Sequence, residues 1–118
     1  MSKYKFILEK KDKKARSGTI KTSLGEIKTP AFMPVATQGA IKSTPINIIE
    51  EIGYDMILSN TYHNILRPGL KIIKEFTNLS KFMDWNKPIL TDSGGFQVMS
   101  LSKLRKITKK GVIFQSHI

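Results

Sequence analysis

The sequence has no cysteine among its 118 residues, which excludes a disulfide framework and a thiolate metal site. Its two histidines, His63 and His117, lie too far apart in the chain to suggest a shared ligand set, so we predict no metal in this segment. It also has no apolar run close to the roughly 20 residues that cross a bilayer. Its first residues alternate charged and apolar side chains, unlike a signal peptide. We expect a cytoplasmic protein without a membrane partner.

Acidic residues are scarce. Nine Asp and Glu stand against twenty Lys and Arg, which gives a net charge of +11. Such a charge favours a polyanionic partner such as nucleic acid, although lysines that only solvate the surface explain it equally well. Two basic clusters are candidates for phosphate contact: Lys10, Lys11, Lys13, Lys14 and Arg16 in the first, and Lys103, Arg105, Lys106, Lys109 and Lys110 in the second.

The order of predicted elements is strands first, then strands alternating with helices. The first thirty residues have the period-two pattern of strands, with a Gly-centred turn within Ser23–Ile27. The later alternation predicts parallel strands covered by helices, which is an α/β fold. The predicted elements are a strand ending at Val35–Thr37, a helix from Pro45 to Gly53 capped by Ser43 or Thr44, a strand at Asp55–Asn60, helices at Pro68–Phe76 and Leu79–Trp85, and a strand at Pro88–Asp92.

Thr37, Asn60 and Asp92 end the three successive predicted strands. Because the carboxyl ends of parallel strands meet at one rim, where α/β folds place their chemistry, these side chains should converge. Taken singly, Thr37 and Asn60 suit helix capping better than a functional site. Asp92 differs because the run Ser93–Gly95 follows it, and paired glycines allow a sharp turn and the close approach of a ligand.

Phe96 and Gln97 indicate what the carboxylate of Asp92 faces. An aromatic ring can stack on a nucleobase, worth roughly 1 to 3 kcal/mol, and an amide offers a donor and an acceptor to a base edge. The alternative is that Phe96 packs in the core with Val98 or Met99. Chemistry at a sugar carbon usually uses two carboxylates, and Asp92 alone has an active-site setting here, so a partner is missing from this segment.

Five sequence blocks together resemble the N-terminal part of the bacterial-type tRNA-guanine transglycosylase family, also called queuine tRNA-ribosyltransferases. The similarity covers nearly the whole chain, and the fourth block is highly specific. Ala36 and Ser59 stand where relatives often have glycine, which leaves the assignment intact. The blocks are TPAFMPVAT (Thr29–Thr37), ILSNTYHNILRPG (Ile57–Gly69), FMDW (Phe82–Trp85), PILTDSGGFQVMSL (Pro88–Leu101) and GVIFQSHI (Gly111–Ile118).

The resemblance implies a single catalytic domain with a (β/α)₈ TIM-barrel fold. Residues 1–118 would be its N-terminal portion, with a small antiparallel sheet at about 1–30 and the first barrel β/α units at about 31–118. A complete barrel needs about 250 residues, so this chain would be truncated. The family exchanges guanine at the wobble position of certain tRNA anticodon loops for a deazaguanine base, through a covalent ribosyl-enzyme intermediate.

The resemblance also implies roles for particular residues. Asp92 matches the general acid and base, Phe96 the aromatic stacked on the base, and Gln97 a base-contacting amide. Ser93 and Asn60 match residues close to the nucleotide, and Val35 and Thr37 match the wall near the ribose. The nucleophilic aspartate and a structural zinc site belong to later segments of the family. The fragment alone is therefore expected to be inactive, and the full-length enzyme is expected to form a homodimer.

Two other functions remain open from the sequence. One is a catalytically silent, basic tRNA-binding subunit or domain of the same fold, against which the retained Asp92 argues. The other is a barrel enzyme acting on a small phosphorylated ligand, for which the positive charge would be incidental. Salt-dependent binding of tRNA would separate these two. The sequence leaves open which deazaguanine is the substrate.

Overall fold

The computed structural model describes residues 4–115, which form a mixed α/β structure. An antiparallel sheet comes first, as the period-two pattern predicted. Its strands pair in the order β1-β2-β3, with β1 at Lys5–Asp12, β2 at Ala15–Thr22 and β3 at Gly25–Thr29. The backbone N–H of Lys28 in β3 donates to Asp55 Oδ2 at 3.2 Å. This contact joins the first sheet to the chain two residues before the strand that begins at Ile57.

The second sheet contains the three parallel strands that the sequence predicted, in shorter form. β4 pairs with β6 and β6 pairs with β7, both in parallel. A two-residue strand, β5, pairs antiparallel with β4 and was not predicted. The sheet order is β5-β4-β6-β7, with β4 at Val35–Thr37, β5 at Ala40–Ile41, β6 at Ile57–Ser59 and β7 at Ile89–Thr91.

The register of the parallel strands decides which side chains share a face. Val35, Leu58 and Leu90 are cross-strand neighbours on one face, and the side chains of Val35 and Leu90 are 51% and 40% exposed. On the other face Ala36 and Ile57 are fully buried. Helices therefore cover only one face of this sheet among residues 4–115.

Within residues 4–115, five α-helices accompany the strands. The first begins one residue later than predicted. Pro45 has an extended backbone and precedes the helix, and no side chain caps it, so the predicted cap by Ser43 or Thr44 is wrong. Gly53 ends the helix in the left-handed conformation (φ 92°), as predicted. The helices are α1 (Ile46–Ile52), α2 (Thr61–Asn64), α3 (Leu70–Glu75), α4 (Leu79–Met83) and α5 (Gly95–Ser100).

The predicted helix at Pro68–Phe76 is replaced by a broken one. The extended backbone of Arg67 (φ −152°, ψ 125°) and the positive φ of Gly69 (93°) interrupt the helical path, so α3 begins at Leu70. The preceding helical turn, α2, directly follows β6 and was not predicted. This turn matters for function because it begins at the rim where the strands end.

The core lies between the helices and the covered face of the parallel sheet. Trp85 is fully buried there and packs with Ala36, Ile49, Ile57 and Met83. Its indole Nε1 donates to the Pro88 carbonyl at 3.1 Å, which satisfies the ring's polar atom without water. Burying this ring supplies much of the apolar stabilisation that fixes β6 beneath the rim.

The chain continues from α5 through a helical turn at Ser102–Leu104 into a hairpin of β8 (Arg105–Thr108) and β9 (Gly111–Phe114). The sequence pattern did not predict this hairpin. It folds back on the protein, because the Phe114 ring lies 4.8 Å from the Tyr62 ring of α2. The last part of the block Gly111–Ile118 lies outside the described residues. No helix within residues 4–115 is long and apolar enough to cross a membrane.

Candidate active site

The structure brings Thr37, Asn60 and Asp92 together at the carboxyl ends of β4, β6 and β7, which confirms the predicted convergence. The Thr37 hydroxyl donates to Asn60 Oδ1 at 3.5 Å, and Asn60 Nδ2 donates to Asp92 Oδ2 at 2.9 Å. The chain thus builds a polar row across three strands. Neither Asn60 nor Thr37 caps a helix through its side chain, so the structure contradicts the capping alternative for Asn60 at α2.

Asp92 is held by donors on both carboxylate oxygens. The backbone N–H of Thr61, the first residue of α2, donates to Asp92 Oδ1 at 2.8 Å, and the backbone N–H of Gly94 also contributes. Partial burial raises the pKa of Asp92, but the hydrogen bonds from Asn60, Thr61 and Gly94 together outweigh it and hold the pKa below its ordinary value of 3.8. The carboxylate is therefore ionised at neutral pH.

Thr61 is a site residue that the sequence reasoning missed. Its N–H points at Asp92, and its hydroxyl donates to the Asp92 backbone carbonyl at 2.5 Å. The first residues of a helix have N–H groups without partners inside the helix, so a helix starting at the end of β6 supplies a donor there. The polar residues after Ile57–Ser59 indicated that the strand ends there. They did not indicate that a helix, α2, starts at Thr61 and turns its N–H toward Asp92.

A change at Asn60 tests this account of the carboxylate. Asn60→Ala removes the donor to Asp92 Oδ2, so we expect the Asp92 pKa to rise toward 3.8. Because the native pKa is depressed, the ionised form stabilises the fold above the unfolded pKa, and this stabilisation is lost as pH falls through the folded pKa. The variant should lose it at a higher pH. NMR titration of the Asp92 carboxyl carbon measures both proteins.

The control for this titration is Asn78→Ala. Asn78 accepts from the Lys81 N–H and caps α4. The substitution therefore removes one asparagine hydrogen bond, as Asn60→Ala does, but at a residue that does not bond to Asp92. The control should leave the Asp92 pKa unchanged. An Asp92 pKa that stayed the same or fell in Asn60→Ala would contradict the arrangement.

The segment after Asp92 makes the sharp turn that its glycines predicted. Gly94 has a left-handed backbone (φ 71°) and directly precedes α5. Ser93 is exposed in this turn, beside the carboxylate. A residue with a Cβ would be strained at the Gly94 position, so the turn that aims the Gly94 N–H at Asp92 depends on glycine.

The side chains of Phe96 and Gln97 differ in burial: that of Phe96 is exposed and that of Gln97 is buried. Phe96 is 76% exposed, so it does not pack in the core, and the alternative of a core role with Val98 or Met99 is contradicted. Gln97 is only 7% exposed, and its Oε1 has no hydrogen-bond partner among the described residues. Phe96 therefore presents an open ring for stacking. Gln97 points inward with this unpaired acceptor, whereas the sequence predicted an amide that contacts a base edge beside Phe96.

Val35 lies on the open face of the parallel sheet, two residues before Thr37 on the same strand.

A second set of polar side chains lies beneath the rim, on the covered face of the sheet. Asn64 Nδ2 donates to Ser59 Oγ at 2.8 Å, and Ser59 Oγ donates to the Ala36 carbonyl at 3.4 Å. This buried chain joins α2 to β6 and β4, and so supports the geometry of the rim above it.

The described residues, 4–115, do not form a metal site. Within residues 4–115 there is no group of three His, Asp or Glu side chains placed to hold a metal ion. The zinc implied by the family resemblance therefore has no ligand set in this part of the chain.

Comparison with known proteins decides the family. The family model for queuine tRNA-ribosyltransferase matches residues 11–118. The chain belongs to the queuine tRNA-ribosyltransferase family. Queuine tRNA-ribosyltransferases of Rickettsia akari, Rickettsia prowazekii and Rickettsia felis are each 58% identical to it over all 118 residues. The chain spans about a third of the length of these relatives (33%).

Proposed function

We propose that this chain is the N-terminal part of a tRNA-guanine transglycosylase. The complete enzyme would exchange guanine at the wobble position of a tRNA anticodon for a deazaguanine, through a covalent ribosyl-enzyme intermediate. The observation that carries the proposal is the ionised Asp92, held at the strand rim by Asn60 and Thr61 with the open Phe96 ring following on α5.

The proposed role of Asp92 is proton transfer to and from the base. Breaking a glycosidic bond places negative charge on the departing purine, and a carboxylic acid within hydrogen-bond reach of the ring lowers that barrier. Incoming base brings a proton that an ionised Asp92 can accept. Each oxygen of Asp92 has a further lone pair that can face a base while Asn60 and Thr61 stay bound. A base seated there would exclude water from the carboxyl group, which favours the protonated form that donates to the departing purine.

The other proposed contacts follow from position. Phe96 would stack on the base, at a strength of roughly 1 to 3 kcal/mol per base. Ser93 and Asn60 would lie beside the nucleotide, and Val35 and Thr37 would form a wall near the ribose. Gln97 Oε1, which has no partner among the described residues, would accept a hydrogen bond from the base or from a neighbouring residue.

The proposed fold of the complete domain is the (β/α)₈ barrel. Three parallel strands with helices on one face, and with Val35 and Leu90 exposed on the other, are consistent with three of its eight strands. The nucleophile and the zinc ligands would come from residues beyond 118. We infer further that the enzyme acts in the cytoplasm on tRNA, and as a homodimer when complete.

A chimaera tests the proposed function. Residues 1–118 replace the corresponding first third of the Rickettsia prowazekii relative, and incorporation of radiolabelled guanine into tRNA is measured. We expect incorporation by the chimaera and none by residues 1–118 alone, which lack a nucleophile. Incorporation by the isolated chain would contradict the proposed division of roles. A folded chimaera that binds tRNA without exchanging its base would favour the silent tRNA-binding subunit instead.

A further inference from the structure

The β8–β9 hairpin, together with the helical turn before it, carries positive charge, and none of its cations forms an ion pair among residues 4–115. From Ser93 to Gln115 the sequence has no Asp or Glu. The cations Lys103, Lys106, Lys109 and Lys110 are all exposed. Both ion pairs found within residues 4–115, Lys21–Glu26 and Lys28–Glu9, belong to the antiparallel sheet instead.

This hairpin packs beside the candidate active site. Val112 and Phe114 of β9 line a cavity of about 380 Å³ together with Ser93, Gly94 and α2. The Phe114 ring contacts the Tyr62 ring, and the Gln115 N–H donates to the Leu104 carbonyl at 2.7 Å. The first contact holds the hairpin against α2, whose first residue Thr61 donates to Asp92, and the second closes the hairpin at its base.

The hairpin shows two different faces. Paired residues on antiparallel strands project to the same side, so Arg105 and Phe114 share the side that meets the active-site turn. Lys106 and Ile113 form the next pair and project to the opposite side, where both are exposed. At the tip, the Thr108 hydroxyl donates to the Gly111 carbonyl at 2.9 Å and accepts from the Lys110 N–H at 3.2 Å. The tip lysines are thus carried on a braced turn.

The other basic cluster has a different setting. It lies on the β1–β2 hairpin, in a sheet that also carries Glu9, Asp12 and Glu26. That sheet contacts the rest of the molecule through Lys28 and Asp55, before the start of β6. The active-site rim lies at the opposite, carboxyl end of β6. By charge alone the two clusters are equivalent, but the β8–β9 hairpin is the one with an observed contact to α2 at the site.

We propose that the β8–β9 hairpin is the phosphate-binding element that holds the RNA strand next to the target nucleotide. Lys106, Lys109 and Lys110 would contact phosphates of the anticodon loop, while the exposed Phe96 ring takes the base. A basic track beside an open aromatic ring is the combination that binds single-stranded RNA. This inference rests on the proposed function, because it takes RNA as the substrate.

Salt-dependent binding tests the hairpin with a matched control. The triple variant Lys106→Ala/Lys109→Ala/Lys110→Ala is compared with Lys11→Ala/Lys13→Ala/Lys14→Ala, which removes the same charge from the β1–β2 hairpin. The probe is a fluorescent anticodon stem-loop RNA. We expect the first variant to bind about tenfold more weakly or worse, with a salt slope reduced by about 2, since each single-strand phosphate contact contributes about 0.7. The control should change affinity less than about threefold.

Two outcomes overturn the inference and separate it from the proposed function. If the unchanged chain binds the stem-loop and both triple variants weaken it equally, or only the control weakens it, the hairpin is not the phosphate-binding element. The transglycosylase proposal survives that result. If the unchanged chain binds no RNA at all, the proposed substrate class falls, and the hairpin inference falls with it.

Cross-linking locates the contact without relying on affinity. The chain has no cysteine, so Lys109→Cys and Lys13→Cys each create a unique attachment site for a photo-cross-linker. Both positions are exposed, and both variants should fold. We expect cross-links from position 109 to nucleotides of the anticodon loop, and few or none from position 13. The reverse pattern would overturn the proposal.

Discussion

Replacing Asp92 with asparagine is expected to reduce base exchange by about 10² to 10⁴-fold in the chimaera described above. The amide keeps the size of the side chain and can still accept from the Thr61 N–H. It has no ionisable proton to give to a departing base or to take from an incoming one. Binding of tRNA should change little, because its free energy comes mainly from phosphate contacts elsewhere on the surface. Guanine incorporation at saturating tRNA measures the first effect, and fluorescence anisotropy the second.

Phe96→Ala is the matched contrast to this variant. It removes an exposed ring while leaving Asp92 and its donors in place, so it should weaken base affinity by roughly 1 to 3 kcal/mol. The loss should appear mainly in the KM for the base, whereas Asp92→Asn should lower kcat. An Asp92→Asn enzyme that exchanged base near the unchanged rate would remove Asp92 from the mechanism and leave its segment as a structural turn.

Replacing Trp85 with alanine is expected to cost about 3 to 5 kcal/mol of unfolding free energy. The ring is fully buried among Ala36, Ile57 and Met83, and its Nε1 bonds the Pro88 carbonyl. The substitution therefore opens a large cavity and removes one of the two donors to that carbonyl, which still accepts from the Ile57 N–H. Small domains have only about 5 to 15 kcal/mol in total, so much of the chain should be unfolded. Urea denaturation followed by far-UV circular dichroism measures the loss.

Leu24→Ala provides the control for the core prediction. Leu24 lies in the turn between β2 and β3 with about half of its side chain exposed, so its removal should cost less than about 1 kcal/mol. A Trp85→Ala protein with a stability equal to the Leu24→Ala protein would show that the cluster around Trp85 does not hold the parallel sheet together.

Strand order and strand ends were predictable here because each depends on a local signal. Apolar runs such as the one ending at Asn60 stop where polar residues begin, and the alternation with helices predicts parallel pairing. Helix boundaries were less predictable. The start of α1 moved because Pro45 took an extended backbone, and the helix at Pro68 gave way to Arg67 and Gly69, whose conformations depend on tertiary packing. The β8–β9 hairpin was not predicted because its strands are only four residues long and four of its ten residues are cationic.

The candidate site was predictable in its centre and not in its surroundings. The rule that parallel strands end at one rim was enough to bring Thr37, Asn60 and Asp92 together. The donor from Thr61 could not be foreseen without α2, and the burial of Gln97 depends on how α5 is oriented. Sequence spacing gives no orientation for a six-residue helix that follows Gly94 and has Gly95 as its first residue. The difference in burial between Phe96 and Gln97 therefore results from the packing of α5 and could not be predicted from the sequence pattern.

Chemical rescue tests most directly whether Asp92 transfers the proton of the base. In the chimaera carrying Asp92→Ala, the side chain is removed and a small carboxylic acid can enter the space. We expect guanine incorporation to be nearly lost and then to rise about tenfold or more with added formate, and not with chloride at the same ionic strength. An Asp92→Ala chimaera that incorporated guanine as fast as the unchanged chimaera, with or without formate, would contradict the account.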